Sequence, residues 1–271
     1  MPERVRSFPA QAGNSEVLLF GHRGFSGVAP ENTLASFAAL RRHGIPGVEL
    51  DVHLSLDGGL LVFHDHNLQR ITGRDAVIEE CRTAEVRELD AGGWFGKAFR
   101  GERVPLLDEV FELLGSETYY DVELKWGSRV SGGLEARVLE CIRAHGLAGR
   151  CLLSSFNPFS IRTVQALDPA QPTALIYANH PEVPRLLRRG EARWLIRTPF
   201  IKPRHDQVHR VSAALYRRVL PSQVLAWTVD EPAEARRLLA LGVRGIISNQ
   251  PERIGAAIRG FAGGPTPSLY S

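Results

Sequence analysis

The chain lacks several features that would place it in a specialised class of protein. It has 271 residues but three cysteines, with no C-x-x-C spacing, so neither a disulfide framework nor a cysteine-based zinc site is predicted, and a reducing compartment is favoured. Apolar runs of about 18 residues, the length that crosses a bilayer, do not occur. The first 16 residues are polar and lack the apolar core of a signal peptide. We therefore expect a cytoplasmic protein without a transmembrane segment.

An excess of charge of one sign is also missing. The net charge is +3, and acidic and basic residues are mixed along the chain. A nucleic-acid-binding protein would carry a concentrated basic face, so the sequence favours a small-molecule substrate and no nucleic acid. The composition, 44% hydrophobic and 23% charged, is that of a globular domain with a large core. Assembly into a homo-oligomer is left open.

Short apolar strands alternate with amphipathic helices along the chain. The predicted strands are Val17–Gly21, Gly47–Val52, Tyr119–Glu123, Cys151–Ser155, Thr173–Tyr177, Arg193–Ile196, Val224–Thr228 and Gly245–Ser248. The predicted helices are Leu34–His43, Leu107–Leu114, Leu134–His145, Pro158–Leu167, Val183–Arg189, Val211–Val219, Pro232–Leu241 and Ile254–Phe261. Eight such repeats in about 250 residues predict an α/β fold, a (β/α)₈ TIM barrel, rather than an open doubly wound sheet.

The barrel is expected to form one domain over residues 17–262, between a flexible N-terminal segment (1–16) and a C-terminal tail (263–271). Asn32 is placed to cap the first helix, and Gly44 and Gly146 to end theirs. Leu56-Asp57-Gly58-Gly59 is a hairpin signal after the second strand. Residues 65–103 then break the repeat, so we expect a small inserted subdomain over the barrel mouth.

Carboxylates and histidines lie at or near the predicted strand exits. Glu49 and Asp51 are two apart, so both side chains face the same way. If they face the barrel interior, a cation must offset their repulsion and lost hydration; if they face outward, they are an ordinary solvated pair. Glu123 and Lys125 repeat the spacing on the third strand, either as a third oxygen ligand with a nearby cation or as a buried salt bridge. Three carboxylates suit Mg²⁺ or Ca²⁺.

Two histidines follow apolar runs, His22 after Leu18–Gly21 and His64 after Leu61–Phe63. Each alone is more often structural, but together at strand exits they suit acid–base chemistry. Arg23 is a natural bidentate ligand for phosphate, or else a surface charge beside a loop glycine. The combination of imidazoles, carboxylates and basic side chains points to metal-assisted cleavage of a phosphate ester.

These segments together resemble the glycerophosphodiester phosphodiesterase family from about Leu19 to about Arg253. The resemblance rests on an ordered set of motifs: His22-Arg23-Gly24, Pro30-Glu31-Asn32-Thr33, Glu49-Leu50-Asp51-Val52, Asp57-Gly58, His64-Asp65, Arg70, Val104–Glu109, Val122-Glu123-Leu124-Lys125, Ser155-Phe156, Ala226–Asp230 and Gly242–Ser248 before Pro251. The chain departs from the family at His66-Asn67, where an acidic residue is usual, and this change bears on the substrate mouth.

The resemblance implies a TIM barrel with a small insertion and a divalent cation held by Glu49, Asp51 and Glu123. It also implies that His22 and His64 are the acid–base pair and that Arg23 and Lys125 neutralise the phosphate. The implied reaction converts glycerophosphodiesters, such as glycerophosphocholine or glycerophosphoethanolamine, to glycerol 3-phosphate and an alcohol, with the glycerol 2-hydroxyl attacking phosphorus. Trp227, at a strand exit, either packs against the glycerol or headgroup or is a core aromatic.

Two alternatives remain at this level. The same barrel could act on a lysophospholipid, in the manner of a lysophospholipase D, or on a phosphoinositide-like substrate, which would need an apolar entrance such as Trp94, Phe95 and Phe99 could supply. A barrel that binds phosphodiesters without cleaving them is the other alternative. It is disfavoured because the full set of histidines and carboxylates is present.

Overall fold

A computed structural model describes Phe8 and residues 17–125, 132–181, 183–219 and 222–259. The predicted N-terminal segment, apart from Phe8, and the predicted tail 263–271 lie outside the described residues. The strands are β1 (Leu18–His22), β2 (Gly47–Leu54), β3 (Leu60–Val62), β4 (Tyr119–Leu124), β5 (Cys151–Ser155), β6 (Thr173–Tyr177), β7 (Phe200–Pro203), β8 (Gln223–Ala226) and β9 (Gly245–Ser248).

Eight of these strands form a closed parallel barrel, as the alternating pattern predicts. The order around the barrel is β1-β9-β8-β7-β6-β5-β4-β2, and β2 pairs with β1 to close it. β3 is antiparallel to β2 and lies outside this ring. One edge of β2 pairs first with β1, over Gly47–Glu49, and then with β3, over Val52–Leu54. The predicted hairpin is therefore confirmed, and it leads the chain away from the barrel.

The helices follow the strands. They are α1 (Leu34–Arg42), α2 (Gln69–Thr72), α3 (Thr83–Arg87), α4 (Leu107–Leu114), α5 (Leu134–Ala144), α6 (Pro158–Leu167), α7 (Arg210–Arg218), α8 (Pro232–Ala240) and α9 (Pro251–Arg259). Gly44 and Gly146, just beyond α1 and α5, have φ of +62° and +67°, the left-handed conformation that ends a helix. In the part of the chain described, no helix is long and apolar enough to span a membrane.

The prediction fails in the sixth repeat. The predicted strand Arg193–Ile196 is wrong: Glu191–Trp194 is a 3₁₀ turn, and the strand is β7 instead. The predicted helix Val183–Arg189 contains a 3₁₀ turn at Arg185–Leu187. The apolar run at 194–196 has the composition of a strand, although Leu195 is 87% exposed. The apolar pattern does not indicate β7, because Lys202, a buried lysine, lies within it.

The expected cap of α1 is also wrong by one residue. Thr33 is the N-cap: its hydroxyl accepts a hydrogen bond from the Ser36 N–H, and the Ser36 hydroxyl accepts one from the Thr33 N–H. Asn32 has a φ of +54°, and its side chain donates to Asp51 Oδ2 at 2.9 Å. Asn32 therefore binds a carboxylate inside the barrel and does not cap the helix.

The insertion has a small hydrophobic core of its own. It carries α2, α3 and 3₁₀ turns at Ile78–Glu80 and Lys97–Phe99. Its buried residues are Leu61, Phe63, Leu68, Ile71, Ile78, Cys81, Val86, Ala91 and Val104. Because this core begins on β3, the hairpin ties the insertion to the barrel next to His64.

The barrel interior changes from apolar to charged along its axis. At one end Phe8 packs against Phe20 and Phe200, with ring centroids 6.4 and 5.6 Å away. Gly47 allows Phe20 to fill this space, since a Cβ there would lie 2.5 Å from the Phe20 ring. Val48 and Leu50 pack into the outer core beneath the helices. Residues of the opposite parity on β2 therefore face inward.

Candidate active site

Three carboxylates from two adjacent strands converge inside the barrel. Glu49 and Asp51 from β2 and Glu123 from β4 are 3%, 1% and 7% exposed. Each offers an oxygen, and these oxygens lie within 4.8 Å of one another. Asp51 and Glu123 are neighbours in the strand register. The inward orientation is thus the one adopted, and the alternative of an outward, solvated pair is excluded.

The two carboxyl groups of β2 have opposite electrostatic environments. Burial and the nearby Asp51 raise the pKa of Glu49 well above its usual range. Burial has the same tendency at Asp51, but Lys125, His64 and Arg23, with the Asn32 hydrogen bond, hold the pKa of Asp51 below its usual range. Of these two carboxyl groups, Glu49 is therefore the one that needs a further cation to be ionised.

Two basic side chains lie against the carboxylates. Lys125 Nζ is 2.9 Å from Glu123 Oε1 and 3.3 Å from Asp51 Oδ1. Arg23 Nε is 3.4 Å from Asp51 Oδ2, and its backbone N–H donates to Glu49 Oε2 at 3.1 Å. Although burial opposes it, Glu123 and Asp51 raise the pKa of Lys125. Lys125 and Arg23 therefore lie where they could bind an anionic group of a substrate.

A third basic side chain lies deeper and was not predicted. Lys202 from β7 is buried, with Nζ 2.7 Å from Asp121 Oδ2 and 3.9 Å from Glu49 Oε1. It donates to the Ser154 hydroxyl at 3.0 Å, and Ser154 donates to Asp121 Oδ1 at 2.7 Å. This ion pair lies in the layer below the carboxylates and supplies positive charge to Glu49.

His22 is oriented by a chain of hydrogen bonds from β9. Its Nδ1 lies 2.7 Å from Asn249 Oδ1. Asn249 donates from Nδ2 to Asp230 Oδ2 and from its backbone N–H to Asp230 Oδ1, both at 2.8 Å. The amide oxygen is thereby left as an acceptor, so Nδ1 of His22 carries a hydrogen. Burial and the adjacent Arg23 lower the pKa of His22 to about 4.

His64 has a carboxylate partner instead of an amide. Its Nδ1 is 2.5 Å from Asp65 Oδ1, and Arg70 donates from Nε to Asp65 Oδ2 at 2.5 Å. Arg70 also donates to Glu31, at 2.6 Å, and Glu31 accepts from Arg23 at 2.8 Å. Burial opposes the effect, but the bonds from His64 and Arg70 lower the pKa of Asp65. The insertion and the loop after β1 are thus joined across the mouth.

Trp227 lies at the exit of β8 and is half-buried. Its indole N–H donates to the Lys202 carbonyl at 2.9 Å, and its ring meets Phe156 edge to face at 5.7 Å. Trp227 also packs against the apolar cluster inside the barrel that contains Phe20 and Phe200. It makes no polar contact to the carboxylates in the described residues.

Several polar residues of this site were given no role by the sequence. Asn249, Asp230 and Lys202 act through partners far away in the chain, so no local spacing identifies them. The sequence does offer a signal for two of them. Asp230 is a carboxylate shortly after the exit of β8, and Lys202 is one of only three lysines in the sequence. The predicted residues His22, His64, Arg23, Lys125, Glu49, Asp51, Glu123 and Trp227 are all brought to one end of the barrel.

Comparison with known proteins gives the family. The model of the glycerophosphoryl diester phosphodiesterase family matches residues 22–253. The chain belongs to that family. A glycerophosphodiester phosphodiesterase of Caldanaerobacter subterraneus is 32% identical and covers 88% of this chain and 96% of its own. The resemblance found in the sequence is confirmed, and with it the assignment to the phosphodiesterases.

Solved structures of the glycerophosphodiester phosphodiesterase family share the fold. A phosphodiesterase from Oleispira antarctica, in complex with the product sn-glycerol-3-phosphate, is 31% identical with a TM-score of 0.77, covering 89% of this chain and 96% of its own. A putative glycerophosphoryl diester phosphodiesterase from Silicibacter pomeroyi is 30% identical with a TM-score of 0.78, covering 94% and 95%. The TIM barrel is therefore common to all three chains.

Proposed function

We propose that the protein hydrolyses glycerophosphodiesters, such as glycerophosphocholine and glycerophosphoethanolamine, to glycerol 3-phosphate and an alcohol. The observation that carries the proposal is that two histidines and two basic side chains, Arg23 and Lys125, lie around three buried carboxylates. Phosphoryl transfer needs positive charge at the phosphate and proton transfer at two oxygens. The related structure with bound glycerol 3-phosphate supports this class of product.

A divalent cation fits the carboxylate group. Glu49, Asp51 and Glu123 provide oxygen ligands alone, the donor set that Mg²⁺ and Ca²⁺ prefer. The raised pKa of Glu49 indicates that the basic side chains present do not fully offset its burial. When bound there, the cation would withdraw charge from a phosphoryl oxygen and acidify a hydroxyl group. Coordination number and cavity flexibility decide between the two metals.

The hydrogen bonds support different roles for the two histidines. With Nδ1–H donated to Asn249, neutral His22 presents the lone pair of Nε2 and suits a general base. Asp65 Oδ1, 2.5 Å from Nδ1, orients the ring of His64 from the other side of the mouth, and we assign this histidine as the general acid. The assignment of His22 as the base rests on its Nδ1 carrying the hydrogen, and the hydrogen bonds from His22 to Asn249 and from Asn249 to Asp230 support it.

The reaction would then run in two steps. His22 Nε2 takes the proton of the glycerol 2-hydroxyl while that oxygen bonds to phosphorus, and the bond from phosphorus to the alcohol oxygen breaks. His64 gives its proton to the leaving alkoxide, so a cyclic phosphate and a neutral alcohol result. Water opens the ring with the proton transfers reversed. Arg23 and Lys125 would neutralise the phosphate, and Trp227 would pack against the glycerol or headgroup.

The test is release of glycerol 3-phosphate from glycerophosphocholine by purified protein. We expect turnover that stops with EDTA, returns with Mg²⁺ or Ca²⁺, and is lost in Glu123→Gln. Glu112→Gln, on the exposed face of α4, is the matched control and should behave as the wild type. A chelator-resistant activity would contradict the cation's role, and absence of turnover with either metal would contradict the hydrolase.

A lysophospholipid substrate is the second candidate, because the insertion exposes aromatic side chains. Trp94 and Phe95 are 46% and 36% exposed, and their rings meet edge to face at 5.6 Å. An acyl chain could cover them. Turnover that rises with acyl-chain length, and falls in Trp94→Ala, would favour this substrate over the glycerophosphodiesters, which carry no acyl chain.

A further inference from the structure

A second group of metal-ligating side chains lies outside the carboxylate site, where the insertion meets β2. It consists of His53 near the end of β2, His66 after the β3 exit and Glu79 in a 3₁₀ turn. His53 Nδ1 and His66 Nδ1 lie 2.7 and 2.8 Å from the same oxygen, Glu79 Oε1. The three ligand atoms are within 4.8 Å of one another. The proposed reaction uses none of these side chains.

His53 contributes a buried imidazole to this cluster. Its side chain is fully buried, and its Nε2 lies 3.3 Å from the carbonyl oxygen of His64. Histidines that bind a metal through one ring nitrogen commonly donate the hydrogen of the other to a carbonyl or carboxylate oxygen. The position of His53 therefore suits a metal ligand that would bind through Nδ1, beside Glu79.

Glu79 provides a second, independent observation. Its other oxygen, Oε2, is buried and has no hydrogen-bond partner within the described part of the chain. A buried carboxylate oxygen without a donor is costly, and a bound cation would remove this cost. His66 is half-exposed, so an ion could enter from solvent and keep a water in a remaining position.

We propose that His53, His66 and Glu79 bind a zinc ion. Two imidazoles and a carboxylate are the ligand set of many zinc sites, with metal–ligand distances of about 2.0–2.2 Å, whereas the oxygen-only group in the barrel suits a harder cation. Zinc here would tie the insertion to β2. It would also fix the carbonyl of His64, so the metal would support the loop that carries the proposed general acid.

The test measures metal content and does not depend on activity. The full chain is stripped with chelator, desalted, incubated with Zn²⁺ in the presence of excess Mg²⁺, desalted again and analysed by mass spectrometry for zinc. We expect about one zinc ion per chain in the wild type and a loss of that ion in His66→Asn. His66 is exposed enough for this variant to fold, which thermal unfolding would verify.

Two controls locate the ion. Glu123→Gln should keep the zinc, because it removes a ligand from the carboxylate group only. His145→Asn should also keep it, because it alters the other histidine-containing group, with Asp108 and Cys141. Zinc lost in Glu123→Gln but retained in His66→Asn would overturn the proposal. Zinc absent from the wild type would mean that the three side chains form a hydrogen-bonded cluster without metal.

Discussion

The assignment of His64 as the acid predicts how its loss depends on the leaving group. Replacement of His64 by alanine removes the proton donor. Asp65, whose Oδ1 lies 2.5 Å from His64 Nδ1 in the wild type, keeps its ion pair with Arg70. Loss of general acid catalysis costs about 10²- to 10⁴-fold in rate, which is about 3 to 5 kcal/mol in activation free energy. The full loss is expected when the leaving group is a basic alkoxide such as that of choline.

A leaving group that needs no proton should cancel most of this loss. The assay is kcat/KM for glycerophosphocholine and for the p-nitrophenyl ester of glycerol phosphate, whose nitrophenolate is a weak base. In His64→Ala the deficit should shrink to about tenfold or less with the nitrophenyl ester. In His22→Ala the deficit should stay at about 10²-fold or more with both substrates, because the 2-hydroxyl must be deprotonated in either case.

His43→Asn is the control, since His43 is an exposed residue at the end of α1 and should leave both rates unchanged. If the nitrophenyl ester rescued His22→Ala rather than His64→Ala, the roles would be reversed and the argument from the Asn249 hydrogen bond would be wrong. Equal deficits for both variants on both substrates would contradict separate acid and base roles.

Other perturbations test stability. Lys202→Met leaves Asp121 buried without its cation and should lower the free energy of unfolding by about 3 kcal/mol, seen as a lower Tm; an unchanged Tm would contradict the pairing. Thr33→Ala removes the cap of α1 and should cost about 1 kcal/mol in chemical denaturation. Arg70→Gln should cost about 1 kcal/mol or less. Because the folded-state pKa of Asp65 is depressed, that contribution is present above its unfolded pKa of about 4 and is lost as the pH falls through the folded value. The Tm difference between wild type and Arg70→Gln should therefore close in acid; a constant difference would count against the ion pair.

Much of the site could be predicted because its residues sit at strand exits. Parallel strands bring their carboxyl ends to one face, so His22, Glu49, Asp51 and Glu123 had to meet once a barrel was assumed. The inward orientation of the acidic pair could not be obtained in this way, since Val48 and Leu50 could equally well have filled the barrel. The orientation is decided in the folded protein, where α1 and α4 pack on the outside of the sheet and bury Val48 and Leu50, so that Glu49 and Asp51 face the interior.

The misplaced strand of the sixth repeat has a physical cause. The sequence predicts a strand at Arg193–Ile196 because local apolarity is the main sequence signal. The strand observed in that repeat, β7, contains Lys202, whose buried charge is stabilised by Asp121 and Ser154. Cytoplasmic location and oligomeric state stay predictions.

By itself the sequence determined most of the alternation of strands and helices, the barrel and the hairpin that leads into the insertion, because each depends on periodicity or on neighbours in the chain. It also predicted the residues that we propose to carry the chemistry. Only the tertiary structure decided how those residues are oriented. The hydrogen on His22 Nδ1 depends on Asn249, 227 positions away, and the pairing of Lys202 with Asp121 joins β7 to β4. Contacts between distant residues follow from closure of the barrel, and no local pattern encodes them.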